Sequence, residues 1–135
     1  MSRHLILDTG VIIAFERRGY DLRSVIGDRE PAISAVTAME LLAGVGNVSA
    51  LHHEVVGLNV EALLAAIPIA DYTLEVARMH ALLVRHTRKT GRPRGALDLV
   101  IAATAMATGS VLLTTDSAAR FDELPSVQSE VVKVG

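Results

Sequence analysis

The sequence predicts an α/β fold in which a parallel sheet is covered on both faces by helices. Three observations support this class. Short apolar runs alternate along the chain with longer segments of helical periodicity. The short runs are continuously apolar, which is typical of strands buried on both faces of a sheet. Hydrophobic residues make up 50% of the chain and aromatic residues only 3%, so the core must be built from aliphatic side chains.

The composition limits the possible classes of protein. A length of 135 residues predicts a single domain, 1–135, with a sizeable core. The chain has no Cys, which excludes disulfides and thiolate metal sites. The scarcity of aromatic residues argues against a surface on which nucleic-acid bases stack. The apolar run before Asp8 is too short for a signal peptide or a membrane span, so we expect a cytoplasmic protein with no membrane partner.

The elements of the first third follow from apolar runs and turn residues. In order, we predict a strand at His4–Leu7, a helix at Val11–Arg18, a short helix at Tyr20–Ile26, a polar turn at Gly27–Pro31 and a strand at Ala32–Ser34. The next helix contains the sequence AMELLAGV and is predicted to carry Glu40 in its first turn. Thr37 and Glu40 have the spacing of a capping box. Gly44 and Gly46 are predicted to end this helix.

The remaining elements are predicted in the same way. They are a helix that begins at Asn47 or Ser49 and runs to about Ala66, an edge strand at Ile67–Ile69, a helix from Asp71 to about Thr90, a loop at Gly91–Gly95, an apolar helix at Leu97–Ala107, a strand at Val111–Leu113, a helical turn at Ser117–Phe121 and a strand at Glu130–Val134. Pro68 favours a sheet edge, because proline cannot donate to a central strand. Pro125 ends the helical turn.

The segment LDLVIAATAMATGSVLLTTD carries two of four acids that we expect at one edge of the sheet. A helix that leads into a parallel strand starts at the edge where that strand finishes, so Asp98 and Asp116 should lie close together. Asp8 follows the first strand, and Glu40 begins a helix after the second. Helix capping explains each acid singly, but capping needs no carboxylate at all four places. Charges this close repel one another unless a cation lies between them.

The type of cation follows from the available donors. Carboxylate oxygens without thiolates favour Mg²⁺ or Mn²⁺ over zinc. The histidine pairs His52 and His53, and His80 and His86, lack the spacing of metal ligands. The chain has no phosphate-cradling glycine loop and no Ser, His and Asp set typical of nucleophilic hydrolases. The residues alone therefore predict a carboxylate-held metal site that acts on a phosphate-containing substrate.

Basic residues are concentrated just before the apolar helix. The segment Val76–Leu97 carries six bases and no acid, a charge of +6, whereas the rest of the chain carries -8. One interpretation is a solvated helix end, where Lys and Arg suit the negative end of the helix dipole. The other is a rim that contacts phosphates. The sequence leaves both open.

Four motifs in series resemble the PIN domain: LDTGVIIAFER, ISAVTAMELLAGV, LDLVIAATA and LLTTD. In order and spacing they are similar to the small VapC toxins of bacterial toxin-antitoxin pairs, over essentially the whole chain. The resemblance implies a three-layer fold with a parallel sheet of order 3-2-1-4-5 flanked by helices. It also implies an Mg²⁺- or Mn²⁺-dependent endoribonuclease that hydrolyses RNA phosphodiester bonds with a metal-activated water.

The resemblance assigns functional residues by position. The family's acids and their hydroxyl neighbours fall on Asp8, Glu40, Asp98, Asp116, Thr9 and Thr115. All four acids are expected to be catalytic, with Asp8, Asp98 and Asp116 as metal ligands and the two threonines in support. Gly10 departs from the family, in which Ser or Asn more often follows the Asp-Thr pair.

The resemblance further implies a cognate VapB-type antitoxin, an RNA substrate and a homodimer. Candidate RNA contacts are Arg17, Arg18, Arg92 and Arg94. The alternative is a catalytically silent module that keeps the PIN fold and its partner, although the intact acid set argues against it. A phosphatase that forms an aspartyl-phosphate typically needs a second Asp two residues after the nucleophile, where this chain has Gly10. A receiver domain needs paired acids near the first strand, and these are missing.

Overall fold

The structure is a computed structural model that describes residues 2–18, 21–45, 59–92 and 94–133. Within these residues one sheet contains the strands β1 (His4–Leu7), β2 (Glu30–Ser34), β3 (Ile69–Ala70), β4 (Val111–Thr114) and β5 (Ser129–Val131). The strand order is β3-β2-β1-β4-β5, and every neighbouring pair is parallel. The predicted fold class and strand order are confirmed.

Helices cover both faces of the sheet. They are α1 (Thr9–Arg18), α2 (Leu22–Ile26), α3 (Ala35–Val45), α4 (59–66), α5 (Leu74–Thr90) and α6 (Ala96–Ala107), followed by short 3₁₀ turns at Ser117–Ala119 and Phe121–Glu123. Among the described residues, none of the helices is long and apolar enough to cross a membrane.

The central strand β1 divides the interior into two cores. Leu5 and Leu7 point to one side, where they pack with residues of α1 and α3. Ile6 points to the other side and packs with residues of α5 and α6, including Leu83 and Ile101. All three strand side chains are at most 1% exposed. This two-sided burial explains why the strands read as continuous apolar runs, since both faces of a parallel sheet are covered.

The start of α3 differs from the sequence prediction, and the proposed capping box is wrong. The helix begins at Ala35, three or more residues earlier than expected. Ser34 caps it, because the Ser34 Oγ accepts the Thr37 backbone N–H at 3.1 Å. Glu40 consequently lies in the second turn of α3, and Thr37 lies inside the helix. Capping therefore no longer accounts for the carboxylate of Glu40.

Several other boundaries move by one to three residues. β2 begins at Glu30 because it pairs with β1 from His4 onward, so the polar turn is shorter than predicted. The edge strand β3 is shifted to Ile69–Ala70, and Pro68 contributes its carbonyl to the Ile33 N–H at 3.0 Å. β5 is confined to Ser129–Val131. The predicted start of the helix near Asn47 or Ser49, together with Tyr20, His52, His53 and Val134, lies outside the described residues.

Candidate active site

The candidate active site lies where the neighbouring strands β1 and β4 end. The chain order of the strands reverses between these two, and ligands in open α/β sheets bind at such a switch point, beyond the carboxyl ends of the strands. Asp8 directly follows β1, and Asp116 lies two residues after β4. Glu40 and Asp98 reach the same place from α3 and from the first turn of α6. The structure thus brings together the four predicted acids.

Asp8 is the most buried of the four, with 7% of its surface exposed. One carboxylate oxygen accepts the Thr9 backbone N–H at 2.8 Å, and the other accepts the Thr114 hydroxyl at 2.8 Å. Burial raises the pKa of Asp8 above its ordinary value, and the charges of Asp98 and Glu40 raise it further, whereas the two hydrogen bonds lower it. The fold therefore holds this carboxylate in place at an electrostatic cost.

Glu40 is held by a group of hydroxyls from three segments. Thr9 Oγ1 donates to Glu40 Oε1 at 2.7 Å and lies 3.2 Å from Thr37 Oγ1. Ser34 Oγ in turn donates to Thr37 Oγ1 at 3.2 Å. Thr37 and Ser34 are at most 1% exposed, so their hydroxyls must bond within the protein. The end of β2 and the start of α1 thereby fix the position of a carboxylate on α3.

Asp98 lies over the start of its own helix. A Cβ placed on Gly95 would stand 3.1 Å from Asp98 Oδ2, so the carboxylate packs closely against the residue that begins α6. Burial raises the pKa of Asp98, and the charges of Asp116 and Glu40 raise it further, against a lowering by Arg94. Asp98 therefore lies within electrostatic reach of three other acids. Arg94 is the base that opposes their effect on the Asp98 pKa in the described part of the structure.

Asp116 is exposed and has a structural contact of its own. Its Oδ1 accepts the Ala119 N–H at 3.1 Å, so it caps the 3₁₀ turn Ser117–Ala119, and capping does account for part of its presence. Its backbone N–H donates at 3.0 Å to the Thr114 hydroxyl that donates to Asp8. The Thr114 hydroxyl is therefore hydrogen-bonded to both Asp8 and Asp116, the acids that follow the adjacent strands β1 and β4.

The departure at Gly10 has a local explanation. A Cβ at this position would stand 2.8 Å from Thr115 Oγ1, closer than real Cβ contacts. A side chain at residue 10 would therefore displace Thr115. In this chain the hydroxyl of Thr115 occupies the space that a Ser or Asn side chain at residue 10 would need.

The candidate RNA contacts lie in different environments. Arg94 has only 14% of its side chain exposed, and it donates to the carbonyls of Ala119 and Arg120 and to Glu123. Arg92 is largely exposed, and its guanidinium lies 3.2 Å from Glu123. The backbones of Arg17 and Arg18 end α1, but their side chains lie outside the described part of the structure.

The chemistry of the donors fits a hard divalent cation. Four carboxylates supply only oxygen, and burial and the charges of neighbouring acids raise the pKa values of Asp8 and Asp98, an effect that a bound cation would relieve. In the described residues, no three His, Asp or Glu side chains are spaced to hold one ion among them. Mg²⁺ in proteins keeps several waters and often takes only one or two carboxylates, so such a spacing is not required.

Sequence reasoning missed several residues that build the site. These are Ser34, Thr37 and Thr114, which position the acids, and Arg120 and Glu123, which lie beside Asp98. The sequence contains a signal for Ser34, because a Ser side chain can cap a helix by accepting the backbone N–H of the residue three positions later, here Thr37. Thr114 could have been recognised by strand alternation, because the side chains of Thr114 and Thr115 must point in different directions.

Fold and site together define an α/β protein with a four-acid pocket at the switch point of its sheet. The chain belongs to the PIN domain family, whose family model matches residues 5–126. No curated protein sequence matches the chain.

Solved structures share this fold over nearly the full chain. One is a chain of VapBC2 from Rickettsia felis, in a structure bound to a DNA fragment from the VapBC2 promoter. It is 21% identical to this chain with a TM-score of 0.86, and the match covers 96% of this chain and 99% of that chain. A chain of DNA-bound VapBC from Salmonella typhimurium is 24% identical with a TM-score of 0.84, covering 97% and 98%. A chain of VapBC-5 from Mycobacterium tuberculosis, a member of the VapBC family of toxin-antitoxin systems, is 28% identical with a TM-score of 0.75, covering 98% and 99%.

Proposed function

We propose that this protein is a VapC-type toxin, an Mg²⁺- or Mn²⁺-dependent endoribonuclease that hydrolyses RNA phosphodiester bonds. The observation that carries the proposal is the convergence of Asp8, Glu40, Asp98 and Asp116 from four separate segments. The PIN family model and the similarity to chains of VapBC structures support the same class.

In this proposal the acids divide the work according to their surroundings. Asp8 and Asp98, with Asp116 beside them, are the residues that would hold the cation. A bound divalent ion supplies an activated water and neutralises charge that develops on the phosphate. Thr9 fixes one oxygen of Glu40, and the other oxygen, which accepts no hydrogen bond from the described residues, would accept a proton from the attacking water. The carboxylates do not attack the phosphorus.

The same proposal includes partners. The solved structures that resemble this chain include toxin-antitoxin assemblies. This similarity supports a VapB-type antitoxin as a partner that covers the acidic pocket. Phe15, Met39 and Leu42 are each at least 40% exposed, and such apolar surface suits contacts with a partner or a second copy of the chain in a homodimer. RNA would be contacted in the cytoplasm by Arg17, Arg18 and Arg92, whereas Arg94, the fourth predicted contact, is bonded to the carbonyls of Ala119 and Arg120 and would support them.

The nuclease proposal is tested with purified protein and a labelled structured RNA. We expect cleavage with Mg²⁺ or Mn²⁺ and none with excess chelator. Asp8→Asn and Asp98→Asn should each lower the rate by about 100-fold or more, since even residues that only support metal ligands cost 10- to 100-fold. Asp28→Asn is the matched control, because Asp28 precedes β2 at the opposite edge of the sheet. Robust cleavage by either site variant, or in excess chelator, would overturn the mechanism.

A further inference from the structure

A second cavity opens directly beside Asp98. Its volume is about 280 Å³, and its walls come from the loop before α6 and from the two 3₁₀ turns after β4. The charged residues of its lining are Arg92, Arg94, Asp98, Arg120 and Glu123. Three arginines against two acids leave this lining with one surplus positive charge. The cavity is therefore basic although it adjoins a strongly acidic site.

The carboxylate of Glu123 forms ion pairs with all three guanidinium groups. Glu123 Oε2 lies 3.2 Å from Arg92 Nη1 and 3.3 Å from Arg94 Nη2, and its Oε1 lies 3.3 Å from Arg120 Nη2. Arg120 also contacts Asp122 at 3.3 Å. A single carboxylate cannot satisfy three guanidiniums, each of which carries five donors. The group is therefore held in place but retains unused donors.

The three arginines differ in exposure and in their contacts. Arg94 is 14% exposed and bonds two backbone carbonyls, so it is part of the scaffold. The side chains of Arg92 and Arg120 are 72% and 55% exposed, and within residues 2–18, 21–45, 59–92 and 94–133 their ion-pair partners are carboxylates. The backbone of Arg120 is left-handed, with φ 51°, a conformation that a residue with a Cβ seldom adopts. The fold thus holds this arginine at the cavity in a costly conformation.

We propose that this cavity binds a phosphate of the RNA strand next to the one that is cleaved, and that Arg120 is its principal ligand. The proposal rests on the proposed nuclease function. Arg120 exchanges its exposed pairs with Glu123 and Asp122 for a forked contact with the phosphate, the geometry for which guanidinium is suited. Arg92 joins it from the other wall. Glu123 positions both groups before RNA arrives, and Asp98 in the wall connects this cavity to the acids.

The test uses Arg120→Asn, because Asn tolerates the left-handed backbone and the variant should fold. We expect the KM for RNA to rise about three- to tenfold while kcat stays within about twofold, as for loss of a phosphate contact. The salt dependence of RNA binding should weaken by about 0.7 in log-log slope, the value for one phosphate contact on a single strand. Arg3→Asn is the matched control, since Arg3 is an exposed arginine paired with Asp28 at the opposite edge.

A second measurement separates this proposal from the nuclease proposal. Inorganic phosphate is titrated into wild type while the side-chain Nε–Hε signals of the arginines are followed by NMR. Shifts of the Arg92 and Arg120 signals, with Arg3 unmoved, support the anion site even if the protein fails to cleave RNA. Cleavage by wild type with KM and salt slope unchanged in Arg120→Asn overturns the site while the nuclease proposal stands. A fall in kcat with KM unchanged would also overturn it.

Discussion

At Gly10 a missing side chain leaves room for a neighbouring hydroxyl. Gly10 is the second residue of α1, and glycine loses more conformational freedom on folding than any other residue, so its presence has a local reason. The reason here is Thr115, whose Oγ1 would stand 2.8 Å from a Cβ at position 10. The strand end and the helix start are therefore packed closely enough that one of the two positions must be small.

We predict that Gly10→Ala is destabilising in wild type but neutral or stabilising in a Thr115→Ala background. The double-mutant cycle should give a coupling energy of about 0.5–1.5 kcal/mol, within the usual range for residues in contact. Thermal denaturation of the four proteins measures it. Gly44→Ala is the control, because no atom lies within 4 Å of a Cβ at that position in α3. Strictly additive effects of the two changes would contradict the packing argument.

At the scale of elements, helix starts were the least predictable feature. Both Ser34 and Thr37 have cap-forming side chains, and the pattern Thr37 to Glu40 matched a capping box. The structure selects Ser34 because β2 continues to that residue and α3 begins immediately after it. The competition between two nearby caps is decided by strand pairing with β1 and β3, which a local pattern does not contain.

Arg94 connects the loop that leads into α6 to the turns after β4. Arg94 donates to the carbonyls of Ala119 and Arg120 and to the carboxylate of Glu123. Its burial and its multiple acceptors make it a connector between two segments that both contribute to the acid site. A guanidinium can serve these divergent acceptors at once, whereas an ammonium cannot.

We predict that Arg94→Lys lowers the Tm by about 3–6 °C, because a mostly buried charge loses part of its hydrogen bonding at a cost of about 1–2 kcal/mol. Arg92→Lys should leave the Tm within about 1 °C, because Arg92 is exposed and its ion pair contributes little. Differential scanning calorimetry of both variants checks the contrast. Equal effects of the two substitutions would show that Arg94 does not connect the segments.

At the scale of the whole molecule, the fold class and strand order could be predicted more accurately than the side-chain contacts between elements. Alternating apolar runs and helices give the α/β class, and the resemblance to the PIN domain gives the strand order, which the structure confirms. The acids could be predicted as a group because parallel strands end at one edge. The partners of their supports could not, since Thr114 bonds to Asp8 from 106 residues away and Glu123 bonds to Arg92 from 31 residues away.

The folded molecule concentrates negative charge at the four acids, and in the described residues Arg94 offsets this charge only in part at Asp98. Burial and the neighbouring acids raise the pKa values of both Asp8 and Asp98, so the folded state holds protons more tightly than the unfolded chain does. Without a cation, stability that is present below the ordinary carboxyl pKa, near 4, is therefore lost as pH rises through the raised folded values. A bound divalent ion reverses this loss, since it stabilises the ionised acids.

We predict that Asp98→Asn is more stable than wild type in excess chelator, and that the difference in Tm grows as pH rises from about 4 to about 7. Because the pKa of Asp98 is raised, more of the folded wild type carries a neutral group at position 98 at the lower pH, so the two Tm values should be closest there. At pH 7 the Tm of the variant should exceed that of wild type. Mg²⁺ should raise the Tm of wild type more than that of the variant. Asp28→Asn, far from the acids, should show neither a pH-dependent gain nor an altered response to Mg²⁺. A variant less stable than wild type at pH 7 in chelator would mean that Asp98 stabilises the fold, and that the pocket needs no cation to offset its charge.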